Sequence, residues 1–159
     1  MPEAWLRGPV PGIPEPLMPA AHSLLDAVED MERSVQGLTP EQGLTPEQLW
    51  LTPGGAPSIG FHLRHVPGSI DRLLTYARGE ALTPGQLAAI PQEGEPGDPP
   101  AGPDQLLDAL RGARERALNA YRATDPTSLP EPRVVGRSGL PSTVPVSYTH
   151  LTLPTKRIV

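Results

Sequence analysis

Two histidines, His62 and His65, stand three residues apart in a chain that has only four, and they are the side chains best suited to chemistry. On a helix that spacing makes them neighbours on one face. Neutral imidazoles bind Zn, Ni or Fe(II). Two donors do not make a site, since a catalytic zinc needs three protein ligands and an open fourth position. His22 lies far upstream, near the apolar stripe of an earlier helix, and His150 has no partner at helical spacing. The chain has no cysteine, which excludes disulfides, thiolate chemistry and Cys-based zinc sites. No phosphate-cradling glycine loop, serine nucleophile elbow or His-Glu-x-x-His run occurs. Taken alone, the two histidines read as well as hydrogen-bonded residues at the edge of a helical core.

Composition narrows the partners. The chain has 13 Lys+Arg against 18 Asp+Glu, a net charge of -5, and only 4% aromatic residues. That balance makes a poor electrostatic partner for nucleic acid or an anionic membrane. No stretch reaches the 18 or so uninterrupted apolar residues that a membrane helix needs, and the first ten residues have no secretory apolar run. The absence of cysteine fits a reducing cytoplasm. A length of 159 residues suggests one domain.

The elements that must position these residues are helices. Pro and Gly make up about a quarter of the chain, but the prolines gather between apolar-periodic stretches and punctuate them. Residues 1–17, with Pro2, Pro9, Pro11, Pro14 and Pro16, read as an extended arm. A first helix is expected from about Pro19 to Gln36, with Leu24, Leu25, Val28, Met31 and Val35 forming its stripe. A second is expected from Ser58 to about Arg78, stopped by Gly79, with Ile59, His62, Leu63, Val66, Ile70, Leu73, Leu74 and Ala77 on its apolar side. Pro67 inside it costs about 3 kcal/mol or more unless the helix kinks. A short connector helix should span Leu82 to Ile90, and residues 91–103 read as an acidic, Pro-rich loop. A third helix runs from about Asp104 to Ala123, where Leu106, Leu110, Ala113, Ala117 and Ala120 keep a 4-3-4-3 rhythm. Arg133–Arg137 is a short extended piece, and Gly139–Val144 reads as the opening of a fourth helix that Pro145 stops. Trp50 is expected to anchor a helix end by packing. Tyr76 and Tyr121 should be bundle residues with their hydroxyls at the surface.

Two segments look inserted. Gly37–Gln42 repeats at once as Gly43–Gln48, and both copies carry the Thr-Pro-x-Gln start of a helix. One helix needs one start, so the first copy reads as a tandem duplication. The run Val146–Thr155 resembles the translation of a transposase-based sequencing adapter. Residues 145–159 are therefore expected to be a non-native tail standing where the rest of the last helix belongs.

The run Thr45-Pro46-Glu47-Gln48-Leu49-Trp50, a Pro-Gly loop, and Ser58-Ile59-Gly60-Phe61-His62-Leu63-Arg64-His65 resemble the pattern of the DinB/YfiT-like family. Val135-Gly136-Arg137 followed by Leu140–Val144 resembles the lead into that family's last helix. The resemblance covers about residues 17–144. It implies an all-α, up-down four-helix bundle over residues 18–144, with the last helix missing or replaced. It also implies a divalent metal (Zn, Ni or Fe) held by three histidines: one on the second long helix, matched by His65, and a His-x3-His pair on the last helix, which is absent here. Apolar periodicity favours His62 over His65 as the inward residue. The family pattern favours His65, so His65 is the candidate ligand and His62 a second ligand or supporting donor. Pro67 departs from the pattern, which has a small helix former there. This chain is expected not to bind the metal that the intact parent holds. The parent would act on a small-molecule substrate as a thiol transferase or hydrolase. The other reading is a non-catalytic scaffold that pairs as a homodimer.

Overall fold

The computed structural model describes residues 2–37, 44–136 and 138–149. Three long helices dominate: α1 (Met18–Gly37), α3 (Ile59–Ala77) and α5 (Pro103–Ala123). Between them lie the short α2 (Pro46–Leu49) and α4 (Pro84–Ala89). A hairpin of β1 (Pro132–Val135) and β2 (Leu140–Thr143) then leads into α6 (Val144–Thr149). The expected stripes are the core: Leu24 and Val28 of α1, Leu63 and Ile70 of α3, and Leu110, Ala113 and Ala117 of α5 are all 1% exposed or less.

Local chemistry sets the helix starts. Thr45 and Thr83 each close a capping box, accepting from the backbone of Gln48 and Gln86 while those side chains reach back to the cap. Ser58 caps α3 by accepting from the Phe61 backbone N–H. The first copy of the hexapeptide repeat lies almost wholly outside the described residues, whereas the second performs the capping expected of it. Pro67 does not end α3, which continues to Ala77 with the proline buried.

The direction of the helices corrects the alternating up-down expectation. Arg122, near the end of α5, donates to the Pro11 carbonyl ahead of α1 (3.1 Å), and Arg111 reaches Glu32 far along α1 (2.9 Å). α1 and α5 are therefore antiparallel. Trp50, packed on Gly60 at the start of α3, donates to the Ala101 carbonyl just ahead of α5 (3.0 Å). After α5, Arg133 donates to the carbonyl of Ala77 at the end of α3 (2.6 Å). α3 and α5 therefore run the same way. The cause is the connection over residues 79–102, which retraces α3 instead of reversing in a tight turn. Gln86 bonds Asp71 and Thr75, Glu93 lies against Gly68, and the Arg64 side chain bonds the carbonyls of Gln92 and Glu95.

Four further expectations change. The domain is mainly helical and not purely α. Residues 140–143 pair as a strand with 132–135, in the register Pro132↔Thr143 to Val135↔Leu140. Gly136 and Gly139, with φ of 77° and 65°, allow the turn between them. The last helix begins only at Val144, so Pro145 sits in its first turn, where a missing N–H costs nothing. That same helix runs on through residues 146–149, where no helical order was expected, and buries Ser147 and Tyr148; residues 150–159 fall outside the described ones.

The third change concerns the N-terminal arm, which is not a free extension. It forms 3-10 turns at Ala4–Arg7 and Glu15–Leu17, buries Ala4, Ile13 and Leu17, and ties itself to α1 through the Arg7–Glu29 pair (2.8 Å). The fourth is the Tyr121 hydroxyl, which is not at the surface. Tyr121 is fully buried, its ring 4.6 Å from that of Tyr148 at a tilt of 55°, and its hydroxyl has no hydrogen-bond partner among the described residues. Burial raises its pKa well above the ordinary phenol value.

Two predictions follow the packing. Gly60→Ala would place a Cβ 2.7 Å from the Trp50 ring. A loss of about 1–3 kcal/mol is expected in urea unfolding, and an unchanged midpoint would mean that the ring moves aside freely. Tyr121→Phe removes an unpaired buried hydroxyl and should leave stability equal or raise it by up to about 1 kcal/mol. A clear loss in the same assay would show that the hydroxyl is satisfied.

Candidate functional site

His65 sits on the face of α3 that meets the returning connection. Its Nδ1 lies 2.6 Å from Glu93 Oε2, and its Nε2 lies 3.2 Å from the hydroxyl of Ser69, one turn along α3. The Phe61 ring stacks on the imidazole at 5.2 Å and 15°. Glu93 belongs to the 3-10 turn Ile90–Gly94, and its side chain is only 6% exposed. Its second oxygen, Oε1, accepts from Arg72 Nη1 at 2.6 Å. Arg72 also donates from Nη2 to the Ser69 hydroxyl at 3.1 Å, which closes the network.

A buried carboxylate needs such partners, because an unpaired buried charge costs several kcal/mol. The helix makes room for it at Gly68, where a Cβ would lie 2.5 Å from Glu93 Oε1. The side chain of His65 remains one-third exposed (33%), so solvent and small solutes reach the ring.

His62 takes no part in this network. Its ring packs edge-on against Phe61 at 5.3 Å and 73°. Burial, and then the neighbouring charge of His65, lower its pKa below the ordinary histidine value. His22 is used elsewhere: its Nε2 lies 3.0 Å from the Gly8 carbonyl and fastens the N-terminal arm. His150 falls outside the described residues.

The sequence model of the DinB superfamily matches residues 23–152. The chain belongs to the DinB superfamily. No curated protein matches it. Within this DinB domain His65 contacts Glu93, Ser69 and the ring of Phe61. The three-histidine centre that the resemblance implies is not assembled from what is described. Among the described residues, no three His, Cys, Asp or Glu side chains lie close enough to hold a metal ion. Among the described residues, His65 and Glu93 form a pair without a third donor.

The sequence singled out His65 but not its neighbours. Ser69 and Arg72 stand four and seven residues after His65, on one helix face, and that spacing was visible. Glu93 carried no such signal, because it lies in a Pro-rich stretch that reads as solvated loop. A cleft of about 530 Å³ between Tyr76, Leu82, Leu87, Arg133 and Val134 lies at the other end of α3 and includes neither histidine.

The lowered pKa of His62 sets a pH dependence. The folded state holds its proton less tightly than the unfolded chain does, so the unfolded chain takes up more protons on acidification. Stability should therefore fall as pH drops through and below about 6.5. His62→Gln should flatten that part of the curve in thermal melts from pH 8 to 5. An unaltered curve would assign the loss to other groups.

Proposed function

We propose that this chain is a DinB-like domain whose intact parent binds one divalent metal ion (Zn, Ni or Fe) through His65, with the remaining ligands on a last helix that would follow Val144. The observation that carries the reading is the state of His65. It is the histidine that the family resemblance points to, it is solvent-accessible, and one ring nitrogen is held by a buried carboxylate while the other meets the Ser69 hydroxyl. Metal-binding histidines are commonly oriented in this way. α6 packs against both α1 and α3, as α5 does, and so occupies the place from which a fourth helix would close the bundle.

His65 lies about 18 Å of helix before Ala77. A helix returning along α3 from its C-terminal end must therefore run about a dozen residues before it draws level with His65. The proposal assigns residues 145–159 to a non-native tail and gives His62 a supporting place beside the ligand. The parent is a cytoplasmic enzyme acting on a small molecule, as a thiol transferase or hydrolase.

A second reading, a non-catalytic scaffold that pairs as a homodimer, draws support from the lack of a three-donor group among the described residues. Zinc titration separates the two. The present 159-residue chain should bind zinc weakly. A chain whose last helix is restored with a His-x3-His pair should bind one zinc tightly and lose it on His65→Ala. Tight stoichiometric binding by the present chain would overturn the assignment of the remaining ligands to a last helix it lacks, and no binding by the restored chain would overturn the metal reading. A restored chain that ignores zinc and elutes as a dimer would favour the scaffold.

A further inference from the structure

Glu93 stands 28 positions from His65 in the chain and on a different element, yet it makes the shortest contact to the ring. We propose that Glu93, seated over Gly68 and anchored by Arg72, is a positioning residue. It fixes His65 as the Nδ1–H tautomer and reserves the Nε2 lone pair for an electrophile. The inference rests on the metal reading only for the identity of that electrophile, a divalent cation.

Hydrogen-bond accounting carries the argument. An ionised carboxylate can only accept, so the 2.6 Å contact requires the proton on Nδ1. A neutral ring with that proton has its lone pair at Nε2. Its hydrogen-bond partner there among the described residues is the Ser69 hydroxyl at 3.2 Å. That oxygen already accepts from Arg72, which leaves its own hydrogen free to turn toward Nε2. A hydroxyl is a rotor and can turn away when a stronger partner arrives. Phe61, stacked on the ring, holds its plane.

A plain ion pair that merely ties the connection to α3 would need less. Arg72 and one carboxylate oxygen would satisfy it at the surface. Here both oxygens are spent on different partners, and the carboxylate is sunk into the helix at a position only glycine leaves open. Gly68 lies inside α3, where glycine is a poor helix former, so the room it leaves has a cost that the seated carboxylate accounts for.

The test is the tautomer itself, read on the full 159-residue chain labelled with nitrogen-15. Long-range proton–nitrogen correlation at alkaline pH, where imidazoles are neutral, distinguishes a protonated from a bare ring nitrogen. The wild-type chain should show His65 protonated at Nδ1 and bare at Nε2. Glu93→Gln should invert this. Arg72 can only donate, so it must keep the amide oxygen, and the amide NH2 then faces Nδ1 and turns it into an acceptor. Gly68→Ala should expel the side chain of Glu93 and remove the preference for either nitrogen while the helix remains.

Inversion in Glu93→Gln and averaging in Gly68→Ala support the proposal. A wild-type ring protonated at Nε2, or a Glu93→Gln ring unchanged from wild type, overturns it. If Glu93→Gln does not fold, Gly68→Ala alone decides. Zinc added to both proteins separates this inference from the metal reading. The wild-type Nε2 resonance should respond, and Glu93→Gln should need roughly 10–100-fold more zinc for the same response. A tautomer that inverts as expected, while a chain with its last helix restored ignores zinc, would uphold Glu93 and discard the metal.

Discussion

The carboxylate of Glu93, buried between His65 and Arg72, is the interaction on which the arrangement of this domain turns. A chain leaving the end of α3 at Gly79 could reverse directly into an antiparallel helix. It is instead drawn back along α3, held by Gln86 at Asp71 and Thr75, by Glu93 at Gly68, and by Arg64 at Gln92 and Glu95. Burial of the charge is compensated by two partners, and removing either would leave the other beside an unpaired group in a poorly solvated place. The crossover is therefore fastened at its middle, and α5 must restart beside the beginning of α3.

From that restart follows the rest of the packing. Trp50 closes the gap where the two helix starts meet, with its ring on Gly60, its N–H on the Ala101 carbonyl and the Arg64 guanidinium 4.6 Å above it. At the opposite end, the chain leaving α5 forms the hairpin, which Arg133 joins to the end of α3. α6 then enters the space between α1 and α3. The local histidine network and the global topology share one set of contacts, so the site is placed by the same segment that sets the direction of α5.

The helices were legible because their signals are local and redundant. The stripe of Leu24 and Val28, the rhythm of Leu106, Leu110, Ala113 and Ala117, and the caps at Thr45, Ser58 and Thr83 each needed only a few neighbouring residues. Helix direction was not legible, since it depends on contacts between residues 50 and 101 or 77 and 133, which no periodicity records. His65 was found through the family pattern and against its own periodicity. The structure accounts for the conflict: the ring turns from the core toward the crossover, so its inward partner lies on another segment. Glu93 was hidden because acidic residues among prolines usually mean solvent. Tyr121 was misplaced because a phenol with an unpaired buried hydroxyl is the rarer outcome.

The shared direction of α3 and α5 has an electrostatic consequence. Each helix carries roughly half a positive charge at its N-terminus from its aligned peptide dipoles. In an alternating bundle such ends face opposite poles and offset one another. Here both lie at one end of the domain, where their partial positive charges add and the C-terminus of the antiparallel α1 offsets only part of them. The segment that leads into it carries Glu95, Asp98 and, in the first turn of α5, Asp104. What reads along the chain as an acidic, proline-broken loop is, in three dimensions, the counter-charge to two helices that begin side by side.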